Sequence, residues 1–148
     1  MKVLLLLGLC LASVGSQSGS WTIRIDSSGG FAGGRGSVLV SSDATVRVTP
    51  RSGRSCSSTL TAPELKAMQS AVDRARPSGW NRRELAVAIP DAFAYDLELR
   101  LRTNRNEQTH KVRWYGTSPD ALPPDLAGLN AELTKIWDGA EKACAGQS

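Results

Sequence analysis

Hydrophobic and polar residues alternate along much of the chain, which is the pattern of strands with one buried face. Five such stretches occur. A short polar turn joins the second to the third, and a turn-forming segment joins the fourth to the fifth, so each of these two pairs predicts a hairpin. Across the second hairpin, Asp96 and Glu98 are expected to face Lys111 and Arg113 on a solvated sheet face. The five predicted strands cover residues 21–26, 37–40, 45–48, 93–102 and 110–115.

Two other stretches have the helical period. The first begins at a capping box, Thr61 with Glu64 three positions later, and is expected to end at Pro77. The second is opened by residues 122–125, LPPD, with proline near its first turn and Asp125 at the positive end of the helix dipole. Apolar residues recur every three or four positions in both helices. The two stripes are Leu65, Met68, Val72 and Ala75, and then Leu126, Leu129, Leu133, Ile136, Trp137, Ala140 and Cys144.

The predicted element order is β-β-β-α-β-β-α. It indicates an α+β fold, a mostly antiparallel sheet packed on one face by two amphipathic helices. Residues 50–58, rich in Arg, Ser and Gly, are expected to form an exposed connection that carries Cys56. Residues 80–90 fit either a strand or an irregular apolar segment.

The start of the chain predicts export. Met1 and Lys2 precede an apolar run over 3–12, and small residues allow cleavage after Gly15, so 1–15 has the form of a signal peptide. The run is too short to span a bilayer. We expect a disordered lead-in over 16–20 and a single domain over 21–145. The mature protein is then secreted or periplasmic, not inserted in a membrane, and monomeric.

Three cysteines are present, and Cys10 lies inside the predicted signal. Removal of the signal leaves Cys56 and Cys144, which allow one pairing in an oxidising compartment. Their disulfide would attach the last helix to the middle of the chain and stabilise the fold by about 4 kcal/mol.

Composition and motifs argue against several classes of function. The chain is 148 residues long, 41% hydrophobic and 22% charged, with a net charge of +4 and no dense basic run, so we expect no nucleic-acid partner. Its one histidine, His110, has no second histidine at metal-binding spacing, and no HExxH, CxxC or nucleophile-elbow pattern occurs. We therefore expect a protein that is not an enzyme and uses no metal or cofactor.

The remaining feature is a glycine-rich segment over residues 27–36, SSGGFAGGRG, with Phe31 at its centre. Glycine allows left-handed backbone and close approach to another surface. Phosphate-binding loops of similar spacing need a Lys and a following helix, and the G-x-x-G nucleic-acid loop lies between helices, whereas strands flank this segment. A flexible connection or a bulged hairpin is the plain alternative to a presented binding loop.

Residues 23–33, IRIDSSGGFAG, resemble the N-terminal signature of the emfourin-like proteins, small inhibitors of thermolysin-like zinc metalloproteases found beside protealysin-type enzymes. The match is residue for residue from Ser28 to Gly33, and Leu65 lies in a helix where that family also has a leucine. The signal peptide, the disulfide and the long last helix depart from minimal members of the family.

The resemblance implies a secreted or periplasmic protease inhibitor whose partner is a thermolysin-like metalloprotease. Phe31 would enter the apolar pocket that such enzymes have after the scissile bond, and Asp26 or a loop carbonyl would approach the zinc as an oxygen ligand. The alternative is a non-enzymatic periplasmic binding or envelope-interaction module, for example a protein like the lysozyme inhibitors. The expected partner-binding residues are Ser28, Gly29, Gly30, Phe31, Ala32, Gly33 and Arg35.

Overall fold

The computed structural model describes residues 19–31, 33–81, 85, 90–116 and 122–146. These residues form six strands and two α-helices, with a 3-10 turn at Pro77–Gly79. The elements are β1 Ser20–Gly29, β2 Gly36–Ser41, β3 Thr45–Pro50, β4 Cys56–Thr59, α1 Ala62–Arg74, β5 Phe93–Arg102, β6 Glu107–Tyr115 and α2 Pro124–Ala145.

All six strands belong to one antiparallel sheet in the order β4-β3-β2-β1-β5-β6. Strand β1 is central and pairs with β2 on one side and β5 on the other. Alternate residues of the strands point to the helices and form the core, as the alternation predicts; Ile23, Val38 and Leu99 are fully buried there. The α+β fold is confirmed.

The predicted capping box starts α1, and Asp125 lies in the first turn of α2 as predicted. The Glu64 carboxylate accepts hydrogen bonds from the Thr61 N–H at 2.7 Å and from its hydroxyl at 2.6 Å. At the start of α2, one oxygen of Asp125 accepts from the backbone N–H of Arg76 at 2.6 Å and from the Trp80 indole at 2.8 Å. Asp125 thereby connects α2 to the segment that follows α1.

The apolar stripe of α2 is buried from Leu126 to Ala140, as predicted. Its last member, Cys144, lies at disulfide distance from Cys56, with the two Cα atoms 6.1 Å apart. That separation is within the usual range for a disulfide. The bridge attaches the end of α2 to the first residue of β4. In the part of the chain that the structure describes, no helix is both long and apolar enough to cross a membrane.

Three expectations about element boundaries need correction. The connection expected over residues 50–58 contains β4, a short edge strand of Ser and Thr that pairs with β3. Strand β1 begins at Ser20, inside the expected lead-in, and continues to Gly29, inside the expected loop, because that whole stretch pairs with β5. The signal peptide over 1–15, lead-in residues 16–18 and most of the ambiguous segment 80–90 lie outside the described residues; within that segment, Leu85 is buried.

Candidate functional site

The connection between β1 and β2 presents an aromatic side chain to solvent. The Gly33 N–H donates a hydrogen bond to the Gly30 carbonyl at 3.0 Å and closes a tight turn that contains Phe31. The Phe31 side chain is 97% exposed, and among the described residues no other large hydrophobic side chain is exposed. In this position the ring can supply a large apolar area to a partner surface. Ala32, the next predicted contact, lies outside the described residues.

The glycines allow this turn to fold back against the sheet. Gly34 has φ +90°, and a Cβ there would collide with the Ser27 carbonyl and lie 2.6 Å from the Ser28 Cα. Gly30 has φ +67°, and a Cβ there would lie 2.9 Å from the Phe93 ring. The loop therefore touches β1 and the first residue of β5.

Arg35 connects the loop to α2. Its guanidinium binds the carboxylates of Asp138 and Glu141, with an Nη2 to Oε2 distance of 2.8 Å to Glu141. It also lies over the Trp137 ring, with its Cζ 4.7 Å from the ring centre. Burial lowers the pKa of Arg35, but the hydrogen bonds that its guanidinium donates to Glu141 and Asp138 outweigh that effect and raise the pKa. The side chain of Arg35 is thus occupied inside the molecule, and its predicted contact with a partner stays a prediction.

The other predicted contacts divide between the turn and the sheet. Gly30 and Gly33 lie in the turn with Phe31, whereas Ser28 and Gly29 are the last residues of β1. The Cα partners of Ser28 and Gly29 are Ala94 and Phe93 of β5. Those two residues therefore form the base of the turn, and the part that projects is shorter than the glycine-rich segment suggested.

Two neighbours of the turn were not predicted from the sequence. The Phe93 ring packs beside Gly30, and the Arg51 guanidinium occupies the position where a Cβ on Gly33 would lie. Arg51 begins the loop over residues 51–55 that joins β3 to β4. Only the strand register, with Gly36 opposite Pro50, brings this second loop beside the first.

Asp26, considered above as a zinc ligand, lies on the open face of the sheet. Arg24 binds both of its carboxylate oxygens at 2.8 Å. The Cα partner of Asp26 on β5 is Asp96, whose carboxylate accepts hydrogen bonds from Arg113 at 2.6 and 2.7 Å. Asp26 is therefore engaged on the sheet, four positions before Gly30.

The open face itself is a shallow concavity of about 1010 Å³ lined by side chains of five strands, with charged groups from β1, β3, β5 and β6. Ion pairs join Asp96 to Arg113 and Glu98 to Lys111, which confirms the predicted cross-strand pairing. The hydrogen bond from Lys111 is the main cause of a lowered pKa at Glu98. These acids and bases already form ion pairs with each other. We therefore interpret the face as a solvated sheet surface and not as a catalytic set.

Further candidates for chemistry are few. His110 is partly buried on β6, opposite Leu99. Within the described ranges, no group of three or more His, Cys, Asp or Glu side chains is placed to hold a metal ion. A second concavity, about 440 Å³, lies between α2 and the β5–β6 hairpin, where Tyr95 and Trp114 stack with ring centres 5.4 Å apart.

No protein-family model matches the chain, and no curated protein matches it significantly in sequence.

Proposed function

We propose that this protein is an exported inhibitor of thermolysin-like zinc metalloproteases and that the turn around Phe31 enters the protease cleft. The observation that carries the proposal is the almost complete exposure of Phe31 on a turn that the sheet holds in place. An aromatic ring that lies in solvent does not stabilise its own fold. When a partner covers the ring, however, a large apolar area is buried in the complex. The local resemblance of Ser28–Gly33 to the emfourin-like signature indicates which partner class has a fitting pocket.

Preorganisation supports an inhibitory role. A loop that is already ordered loses little conformational entropy on binding, so more of the contact energy becomes affinity. Here β1 and β2 pair up to Ser27 and Gly36, the turn is closed by its own hydrogen bond, and Arg35 fixes its far end to α2. The small Gly residues beside Phe31 leave room for the ring to enter deeply.

The same anchoring explains how the loop would resist cleavage. A substrate leaves the protease after hydrolysis because its two halves separate. The strands on both sides of this turn are hydrogen-bonded to each other and to further strands, so a cut near Phe31 would leave both new ends in the cleft. A loop carbonyl next to Phe31 would supply the oxygen that approaches the enzyme's zinc.

The test is an inhibition assay with the purified mature protein. Two thermolysin-like enzymes, thermolysin and a protealysin-type protease, are assayed with a peptide substrate, and trypsin and lysozyme serve as controls for other hydrolase classes. We expect competitive inhibition of at least one thermolysin-like enzyme and no effect on trypsin or lysozyme. Inhibition of lysozyme alone would instead support the alternative of an envelope-interaction module, and no inhibition of either metalloprotease would refute the proposal.

A further inference from the structure

A second loop lies beside the Phe31 turn and carries a charge of its own. Residues 51–55, RSGRS, contain two arginines, Arg51 and Arg54, and both side chains are exposed. Neither this loop nor residues 30–35 contains an acidic residue. Residues 51–55 are called the basic loop below.

The basic loop and the Phe31 turn are in contact. A Cβ on Gly36 would lie 2.8 Å from the backbone nitrogen of Arg51, and the Arg51 guanidinium packs against Gly33. A hydrogen bond of 3.1 Å between the hydroxyls of Thr49 and Ser55 joins the two ends of the basic loop. The two loops therefore leave the same end of the sheet as neighbours, and a partner that receives Phe31 meets the basic loop as well.

The charge around Phe31 is uneven. Arg35, the third arginine nearby, is balanced by Asp138 and Glu141 and adds little to the outward field. On the opposite side of the turn, the exposed Asp91 lies two residues before Phe93, which packs beside Gly30. The described residues thus place the exposed Arg54 on the β3 side of Phe31 and the exposed Asp91 on the β5 side.

We propose that the Phe31 turn and the basic loop form one docking surface, and that the partner has carboxylates beside its apolar pocket on the side that faces Arg54. This inference rests on the proposed function and names the charge pattern of the protease that the surface fits. Oppositely charged patches accelerate association and orient the encounter, and salt weakens that effect.

The test compares two charge reversals that change the net charge equally. Arg54→Glu alters the basic loop. Arg105→Glu alters the exposed β5–β6 turn at the other end of the sheet, which the length of the ten-residue strand β5 separates from the Phe31 turn by about 30 Å. Association rate constants with thermolysin and the protealysin-type protease are measured by stopped flow at about 0.1 M and about 1 M salt, where the screening lengths are about 10 and 3 Å.

We expect Arg54→Glu to slow association roughly fivefold at the lower salt and less than twofold at the higher salt. Arg105→Glu should change the rate by less than about twofold at either salt, since the distance exceeds the screening length. Equal rates for Arg54→Glu and the wild type, or equal slowing by both variants, would overturn this inference and leave the proposed function intact. Failure of the wild type to bind either protease would overturn both.

Discussion

The contacts of Arg35 with Asp138, Glu141 and Trp137, called the tether, give a prediction that distinguishes an ordered turn from a mobile one. The variant Arg35→Gln replaces the guanidinium by a shorter, uncharged polar group. It breaks the contacts to Asp138 and Glu141 and uncovers the Trp137 ring. The strands that flank the turn stay paired, so the effect should fall mainly on the turn.

The size of the effect follows from the exposure of the groups. The side chains of Arg35 and Glu141 are each 35% exposed and that of Asp138 is 51% exposed, so each ion pair contributes about 0.5–1 kcal/mol. The contact of the guanidinium with the Trp137 ring adds about 1 kcal/mol. The tether as a whole is therefore worth about 2 kcal/mol, which corresponds to a roughly 30-fold change in the population of the opened loop.

Amide hydrogen exchange measured by NMR reads this change at the Gly33 N–H, because that group is hydrogen-bonded inside the turn. We expect its exchange to accelerate roughly 30-fold in Arg35→Gln. The matched control is Arg24→Gln, which breaks an exposed ion pair with Asp26 on the open sheet face. The control should leave Gly33 exchange unchanged and reduce the free energy of unfolding by less than about 1 kcal/mol.

Two results would refute this reasoning. If Gly33 exchanges at the wild-type rate in Arg35→Gln, then the contacts with α2 do not hold the turn. If the exchange is already unprotected in the wild type, the turn is mobile and the preorganisation argument loses its basis.

The remaining predictions concern stability. Gly34→Ala puts a Cβ against the Ser27 carbonyl at a positive φ and should lower the free energy of unfolding by about 1–3 kcal/mol in urea denaturation. Gly128→Ala, with open space on α2, should raise it by about 0.5–1 kcal/mol; the opposite sign for either variant would contradict the packing described. Burial alone would raise the pKa of Asp125, but its hydrogen bonds from Arg76 and Trp80 lower it below the ordinary 3.8. Ionised Asp125 therefore stabilises the fold above about pH 4, and this contribution disappears as the pH falls through the lowered pKa. The unfolding free energies of Asp125→Asn and the wild type should accordingly differ most at pH 7 and converge as the pH falls through the lowered pKa; a pH-independent difference would be inconsistent with that lowered pKa.

The sequence pattern predicts most of the elements because one face of each is apolar. Strands β1, β2, β3, β5 and β6 and both helices have that periodicity, and each pattern coincides with a buried face. Strand β4 has no apolar alternation, since it is a short edge strand held by β3 and by the bridge from Cys56. Its existence depends on contacts that a local pattern does not contain.

The candidate site divides in the same way. Phe31 stands out in the sequence because an aromatic among glycines has no packing partner nearby, and the structure places it in solvent. The contact of Arg35 with α2 cannot be predicted from the sequence, because its partner Glu141 is 106 positions away. The basic loop is equally hidden, since it reaches Phe31 only through the pairing of β2 with β3.

The central claim is that Phe31 anchors the protein in a metalloprotease cleft. The most direct test is the ratio of the inhibition constants of Phe31→Ala and the wild type against the more sensitive of the two thermolysin-like enzymes. Loss of a buried aromatic anchor costs at least about 2 kcal/mol, so we expect a ratio of roughly 30 or more, with Phe31→Leu within about fivefold of the wild type. A ratio near one, with the wild type inhibiting, would show that Phe31 is not the anchor and would contradict the account.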